Sequence, residues 1–127
     1  KVRNHFGMNR IAQVGALAAL ADQDYLAEVK AAVAASRERI ASIARANDLV
    51  PLPSATNFVT IDCGRGGAFA KAVLDELVAR GIFVRMPFAE PGNRCIRVSC
   101  GREPDLDKLA DALPKALKVA QTRQISP

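Results

Sequence analysis

The sequence predicts an α+β domain: a small mixed sheet of βαββα order with helices on one face, preceded by a long helix. Three observations carry this. Apolar side chains recur at helical spacing between about residues 24 and 47. Short runs at 57–63, 82–86 and 95–100 are rich in β-branched and aromatic residues. Glycines and prolines punctuate the gaps between these runs.

Taken in order, "MNRIAQVGALAALA" at 8–21 reads as a helix whose small side chains allow close packing. Asp22 can cap a second, longer helix, from about Asp24 to Asn47. Leu26, Val29, Val33, Ile40 and Ile43 form one stripe along it. Its length suits an element bridging two domains. Pro51 and Pro53 then break the helix and impose an extended path. "NFVTIDC" is the first strand, and "GRGG" at 64–67 is a turn. That turn matches neither GxGxxG nor the Walker phosphate loop. Residues 68–80 form a helix with Phe69, Val73, Leu74, Leu77 and Val78 inward, and Gly81 stops it. "IFVRM" and "CIRVSC" are the second and third strands. Pro104 suits the first turn of the last helix, and the acids after it favour the positive end of the helix dipole. Pro114 should kink or split that helix, and "QTRQISP", 121–127, reads as a frayed tail.

Composition excludes several function classes. The chain of 127 residues suits one domain or a piece of one. Its start has neither an initiator Met nor a signal-peptide pattern, and it reads as part of something longer. No run is apolar enough for a membrane helix. The net charge of +5 raises nucleic acid as a partner, but the five Phe and one Tyr are not interleaved with basic residues as a stacking platform requires. A small anionic ligand fits the basic balance better than nucleic acid. Cys63, Cys95 and Cys100 are odd in number and lack CxxC spacing, so neither a disulfide framework nor a metal site is expected. Reduced thiols in a cytoplasmic protein are the plain reading. The lone His5 is too distant in sequence to mark a Cys–His pair.

The candidate binding residues come from strand alternation. Ile96 and Val98 share one face of the third strand, and Arg97 and Ser99 the other. In the second strand Phe83 and Arg85 share the face opposite Ile82 and Val84. With the aliphatic side chains turned to the helices, Arg85 and Arg97 emerge together. Asn57, a hydrogen-bonding residue, opens the first strand nearby. A planar, permanently charged fork suits bidentate capture of a carboxylate or phosphate. A solvent-facing strand arginine is the ordinary alternative.

Four segments also carry a resemblance: "KVRNHFGMNRIAQVGALAALAD", "LPSATNFVTID", "ARGIFVR" and "CIRVSCGREPDLDKL". In this order and spacing they resemble the C-terminal part of class I/II, fold-type-I pyridoxal-phosphate aminotransferases, most similarly the histidinol-phosphate branch. The resemblance implies that Arg97 binds the substrate α-carboxylate and Arg85 helps hold a substrate phosphate. It places Asn57 near the substrate pocket. It further implies that residues 1–21 end the large domain and residues 22–120 form the C-terminal small domain. The cofactor would be pyridoxal phosphate, and the parent a cytoplasmic homodimer in amino-acid biosynthesis. The family's Schiff-base lysine precedes a glycine-rich arginine motif that is not in this sequence, and Lys1 is too close to "RNHF" to serve. The chain is therefore expected to carry part of the substrate wall and no catalytic or cofactor-binding residue. It should be inactive alone and need the missing N-terminal cofactor domain. His5 and Phe6 stand where the branch has a Pro-Tyr-Asn-like segment. The alternatives are a decarboxylating member of the family and a stand-alone regulatory module with an arginine pocket.

Overall fold

The computed structural model of the chain describes residues 7–125. Lys1, His5 and Phe6 lie outside the described residues. Two compact units divide the chain, Lys1–Ala32 and Val33–Pro127.

The first unit contains α1 (Arg10–Ala21) and the start of α2 (Gln23–Arg45). Asn9 Oδ1 accepts from the Ala12 N–H at 2.7 Å and caps α1. Asp22 Oδ1 accepts from the Tyr25 N–H at 3.0 Å, the cap expected for α2. The close packing expected of α1 is not found among the described residues, since none of its side chains is buried.

The second unit holds the core. The last turns of α2 bury Ile40, Ala41, Ile43 and Ala44. Earlier members of the predicted stripe, Leu26 and Val29, are exposed. Helical spacing says which side chains share a face, not whether a partner covers it. The helix ends at Arg45, before the prolines, and Asp48 just beyond it takes the left-handed conformation with φ 58°. The Leu49 N–H reaches the Ala44 carbonyl at 3.0 Å and the Asp48 N–H the Arg45 carbonyl at 3.1 Å, a Schellman ending.

β1 (Val50–Pro51), β2 (Phe58–Asp62) and β3 (Cys95–Ser99) form a sheet in the order β1-β2-β3. β1 is a two-residue edge strand that sequence reading left as an extended connection, and Pro51 is tolerated there because an edge position need not donate. Both strand pairings are antiparallel, which corrects the expected mixed sheet. The reason is topological. After β2, α3 (Gly67–Ala79) crosses over to residues 82–86, but β3 lies between that segment and β2. The predicted strand 82–86 is itself reduced to a single antiparallel bridge, Arg85 to Arg97. Two residues on, Pro87 has no N–H to extend the ladder. On the other side the Ile82 N–H turns back to the Leu77 carbonyl at 2.9 Å, closing α3 beyond Gly81 at φ 78°.

Val59 and Ile61 of β2 pair with Val98 and Ile96 of β3, and all four enter one buried cluster. Phe69, Val73 and Leu77 of α3 complete it with Leu106, Leu109 and Leu113 of α4 (Glu103–Ile125). The helices thus cover one face of the sheet. α4 runs unbroken through Pro114 and on to Ile125, so the predicted split is absent and the stretch expected to fray is helical to that point. Leu113, Ala116, Leu117 and Ala120 are buried around the proline. Their burial offsets the missing hydrogen bond, while exposure of Pro114 keeps its ring out of the core.

Candidate functional site

The second face of the sheet carries the two candidate arginines. Register places Phe58, Thr60 and Asp62 of β2 beside Ser99, Arg97 and Cys95 of β3. Arg97 is directly opposite Arg85 on its other side. The two exchange backbone hydrogen bonds, Arg85 N–H to Arg97 O at 3.0 Å and Arg97 N–H to Arg85 O at 2.6 Å. Residues facing each other in this way project from the same side of a sheet. The two candidate arginines are therefore brought together.

Their environments differ. Arg85 is exposed and Arg97 half-buried. The Arg97 guanidinium lies over the Phe58 ring, 4.4 Å from its centroid. Among the described residues neither guanidinium has a carboxylate partner, whereas Arg39, Arg45, Arg80, Arg94, Arg102 and Arg123 all do. Like charges facing each other across a strand pair repel. An anion between them relieves that repulsion.

Asp62 is the acid on this face, one diagonal step from Arg97. It is taken by Arg94 instead, whose Nε donates at 2.9 Å and whose second nitrogen also donates to the same oxygen. The Arg94 hydrogen bond holds the Asp62 carboxyl below its ordinary range, against an opposing desolvation effect. Arg94 thus removes a carboxylate that would otherwise compete for Arg97.

A cavity of about 250 Å³ is lined by Arg85, Met86, Pro87, Phe88 and Arg97. A second, of about 530 Å³, runs from Arg85 along Phe83, Met86 and Phe88 to Leu74 and Lys71 of α3. Both arginines therefore border space that a small molecule can enter.

Asn57 is exposed and precedes β2. Its carbonyl accepts from the Cys100 N–H at 2.8 Å, which places its backbone beside the end of β3. Extrapolated strand alternation assigns Asn57 to the face opposite Arg97, so the sheet itself does not join it to the arginine pair. The loop before it is tied down: Ser54 Oγ donates to the Phe58 carbonyl at 2.5 Å, and Arg37 to the Thr56 carbonyl at 2.9 Å.

Two contributors escaped sequence reading. Ser36 is buried on α2, and its Oγ accepts from the Gly101 N–H at 3.0 Å, which fixes the chain where it leaves β3. A signal existed, since Ser36 falls on the apolar stripe between Val33 and Ile40. Phe58 had none, because its contact with Arg97 depends on a register between distant segments.

Among the described residues no cluster of His, Cys, Asp or Glu is arranged to hold a metal. Cys63 is buried, and burial first, then the neighbouring Cys95 and Asp62, push its thiol up to about 12, far from a nucleophile. A lysine that forms a Schiff base needs a sheltered amine. Lys71 Nζ is held by both Asp75 oxygens at 2.7 Å, and Lys30, Lys108, Lys115 and Lys118 are exposed on helices. None presents a sheltered amine. No helix among the described residues is long and apolar enough to cross a membrane.

The family model for aminotransferase class I and II matches residues 1–113. A histidinol-phosphate aminotransferase of Roseiflexus castenholzii is 39% identical over 116 residues, which is 89% of this chain and 31% of that protein. One from Rhodospirillum centenum is 35% identical over 118 residues, covering 93% and 33%. The crystal structure of histidinol-phosphate aminotransferase from Sinorhizobium meliloti, in complex with pyridoxal-5'-phosphate, is 53% identical with a TM-score of 0.86. That match covers 93% of this chain and 32% of the other. The chain thus spans about a third of the length of the relatives it matches.

Proposed function

Because the chain belongs to the class I and II aminotransferase family, we propose that it is the C-terminal, substrate-binding part of a pyridoxal-phosphate-dependent aminotransferase. The reaction moves an amino group between an amino acid or amino-phosphate and a 2-oxo acid. Histidinol phosphate is the favoured amino-phosphate, because the relatives above carry that name.

The observation that carries this reading is the arginine pair. Two guanidiniums share one sheet face, lack carboxylate partners among the described residues, and border a common cavity. Arg97 takes the substrate α-carboxylate through its fork, and Arg85 the phosphate or second acid at the far end of the substrate. Asn57, which lines neither arginine cavity in the chain by itself, joins the substrate pocket from the loop before β2 only in the assembled enzyme. Residues 1–21 end the large domain and 22–120 form the small domain. The cofactor supplies the electron sink of the reaction. It and its lysine belong to an N-terminal domain outside this sequence, and the working enzyme is a cytoplasmic homodimer.

Two assays test this. Purified intact enzyme is supplied with histidinol phosphate and a 2-oxo acid, and formation of the new amino acid is followed. The isolated chain is mixed with pyridoxal phosphate, reduced with borohydride and mapped. Turnover in the first and no stoichiometric lysine label in the second are expected. A single labelled lysine with turnover by the isolated chain refutes the division of labour. Saturable binding of an acidic metabolite by a chain with no aminotransferase parent returns the reading to a regulatory module.

A further inference from the structure

We propose that Phe58 is a positioning residue for Arg97, holding the guanidinium by its ring face so that the N–H fork is left free for an anion. The inference rests on the reading of Arg97 as a carboxylate-binding residue. It starts from a contrast within the chain. A side-chain carboxylate holds Arg80, Arg94 and Arg123, in each case through their N–H groups. At least one nitrogen of each is committed to that carboxylate. Arg97 is held differently, by an aromatic face 4.4 Å from its central carbon. A ring attracts the cation through its quadrupole and leaves the donors in the guanidinium plane unused. The backbone that carries the ring is held in place. Phe58 is half-buried, its carbonyl accepts from Ser54 Oγ at 2.5 Å and from Thr56 Oγ1 at 3.3 Å, and it pairs with Ser99.

The contact also answers the repulsion between Arg85 and Arg97. Both side chains leave the sheet from directly opposed positions. Phe58 is the diagonal neighbour of Arg97 on the β2 side, away from Arg85. Stacking there draws the Arg97 guanidinium off the Arg85 side, which separates the charges and sets the spacing of two anion-binding points. An aliphatic side chain of similar bulk fills the same space but supplies neither the attraction nor the direction.

The test uses the 127-residue chain with acetate as the probe, read by nuclear magnetic resonance. Ring current from Phe58 should shift the Arg97 Nε–H signal upfield of the other arginines. Its absence in the unaltered chain overturns the proposal without any variant. Titration with acetate is followed at the backbone amides of residues 85 and 97. Phe58→Leu should raise the acetate Kd roughly 2- to 30-fold, the range of a cation–π contact from exposed to desolvated. Phe58→Tyr and Phe58→Trp, which keep the π face, should change it less than about twofold on the same scale. In an Arg97→Met background Phe58→Leu should have no further effect. Equal losses for the leucine and tyrosine variants, or a leucine effect that persists without the guanidinium, overturn the proposal. If Arg97→Met weakens acetate binding while Phe58→Leu does not, Phe58 is excluded and the role of Arg97 stands. If Arg97→Met costs nothing, the reading of Arg97 itself fails.

Discussion

On the proposed reading, replacing Arg97 by alanine in the intact enzyme removes the fork that would meet the substrate α-carboxylate. The magnitude follows from the setting of Arg97. It is half-buried, stacked on Phe58 and without a carboxylate of its own among the described residues, so an incoming carboxylate meets its full charge. Truncating one partner of a sheltered, hydrogen-bonded charge pair costs about 2 to 5 kcal/mol. Much of that is the penalty of the stranded partner, here the substrate. At 1.4 kcal/mol per decade this is roughly 30- to 4000-fold in kcat/KM. The loss should be common to every α-amino acid substrate. Arg97→Lys should recover only part of it, because an ammonium keeps the charge but not the planar two-point geometry. Steady-state kinetics on the alanine and lysine variants, with circular dichroism to confirm folding, measure both. Unchanged kcat/KM for Arg97→Ala, or full recovery by lysine, refutes bidentate capture at this position.

Arg85→Ala should spare substrates with neutral side chains and impair those bearing a phosphate or second acid, which paired-substrate kinetics resolve; equal losses for both classes mean the two arginine roles are misplaced. Acid should destabilise the fold through Asp62 and Glu76, whose carboxyls are lowered chiefly by hydrogen bonds from Arg94 and Arg80. Their contribution is complete above the ordinary values of 3.8 and 4.5 and is lost as pH falls through the lower folded values. The unfolding free energy from urea melts should fall as pH drops below about 4.5, and Asp62→Asn with Glu76→Gln should flatten that fall. Pro114→Ala should stabilise the chain by about 1 to 3 kcal/mol, because it restores a donor toward the Ala110 carbonyl within α4; an unchanged or lower melting temperature shows that the helix has adapted to the proline.

Much of the site was legible because strand alternation is a local property. Placing Arg97 opposite Ile96 and Val98 needs only three consecutive residues, and the facing of Arg85 and Arg97 follows once the aliphatic sides turn inward. The stop at Gly81 and the cap at Asp22 were legible for the same reason, since each depends on one residue's conformational or hydrogen-bonding preference. What escaped involves distance along the chain. Nothing within residues 82–86 states that β3 intervenes before β2, nor that Pro87 ends the ladder after one bridge. The exposed Leu26 and Val29 show the same limit in a helix, where a stripe announces a face and leaves its partner unnamed. Asn57 was linked to the arginines by nearness in the strand order, but it sits just outside β2, and alternation carried one residue further turns it to the other face.

The single bridge between Arg85 and Arg97 divides the pocket into a fixed post and an adjustable one. Arg97 sits in the middle of β3, with Thr60 beside it on β2 and Arg85 bonded to it on the other side. Arg85 hangs from one pair of hydrogen bonds, and the loop that follows it carries Phe88 fully into solvent. A change of length or sequence in residues 87–93 alters the shape and reach of the second post without disturbing the registry that holds the first. On the proposed reading, substrate range can drift at the Arg85 end of the ligand while the demand for a carboxylate at the Arg97 end stays constant.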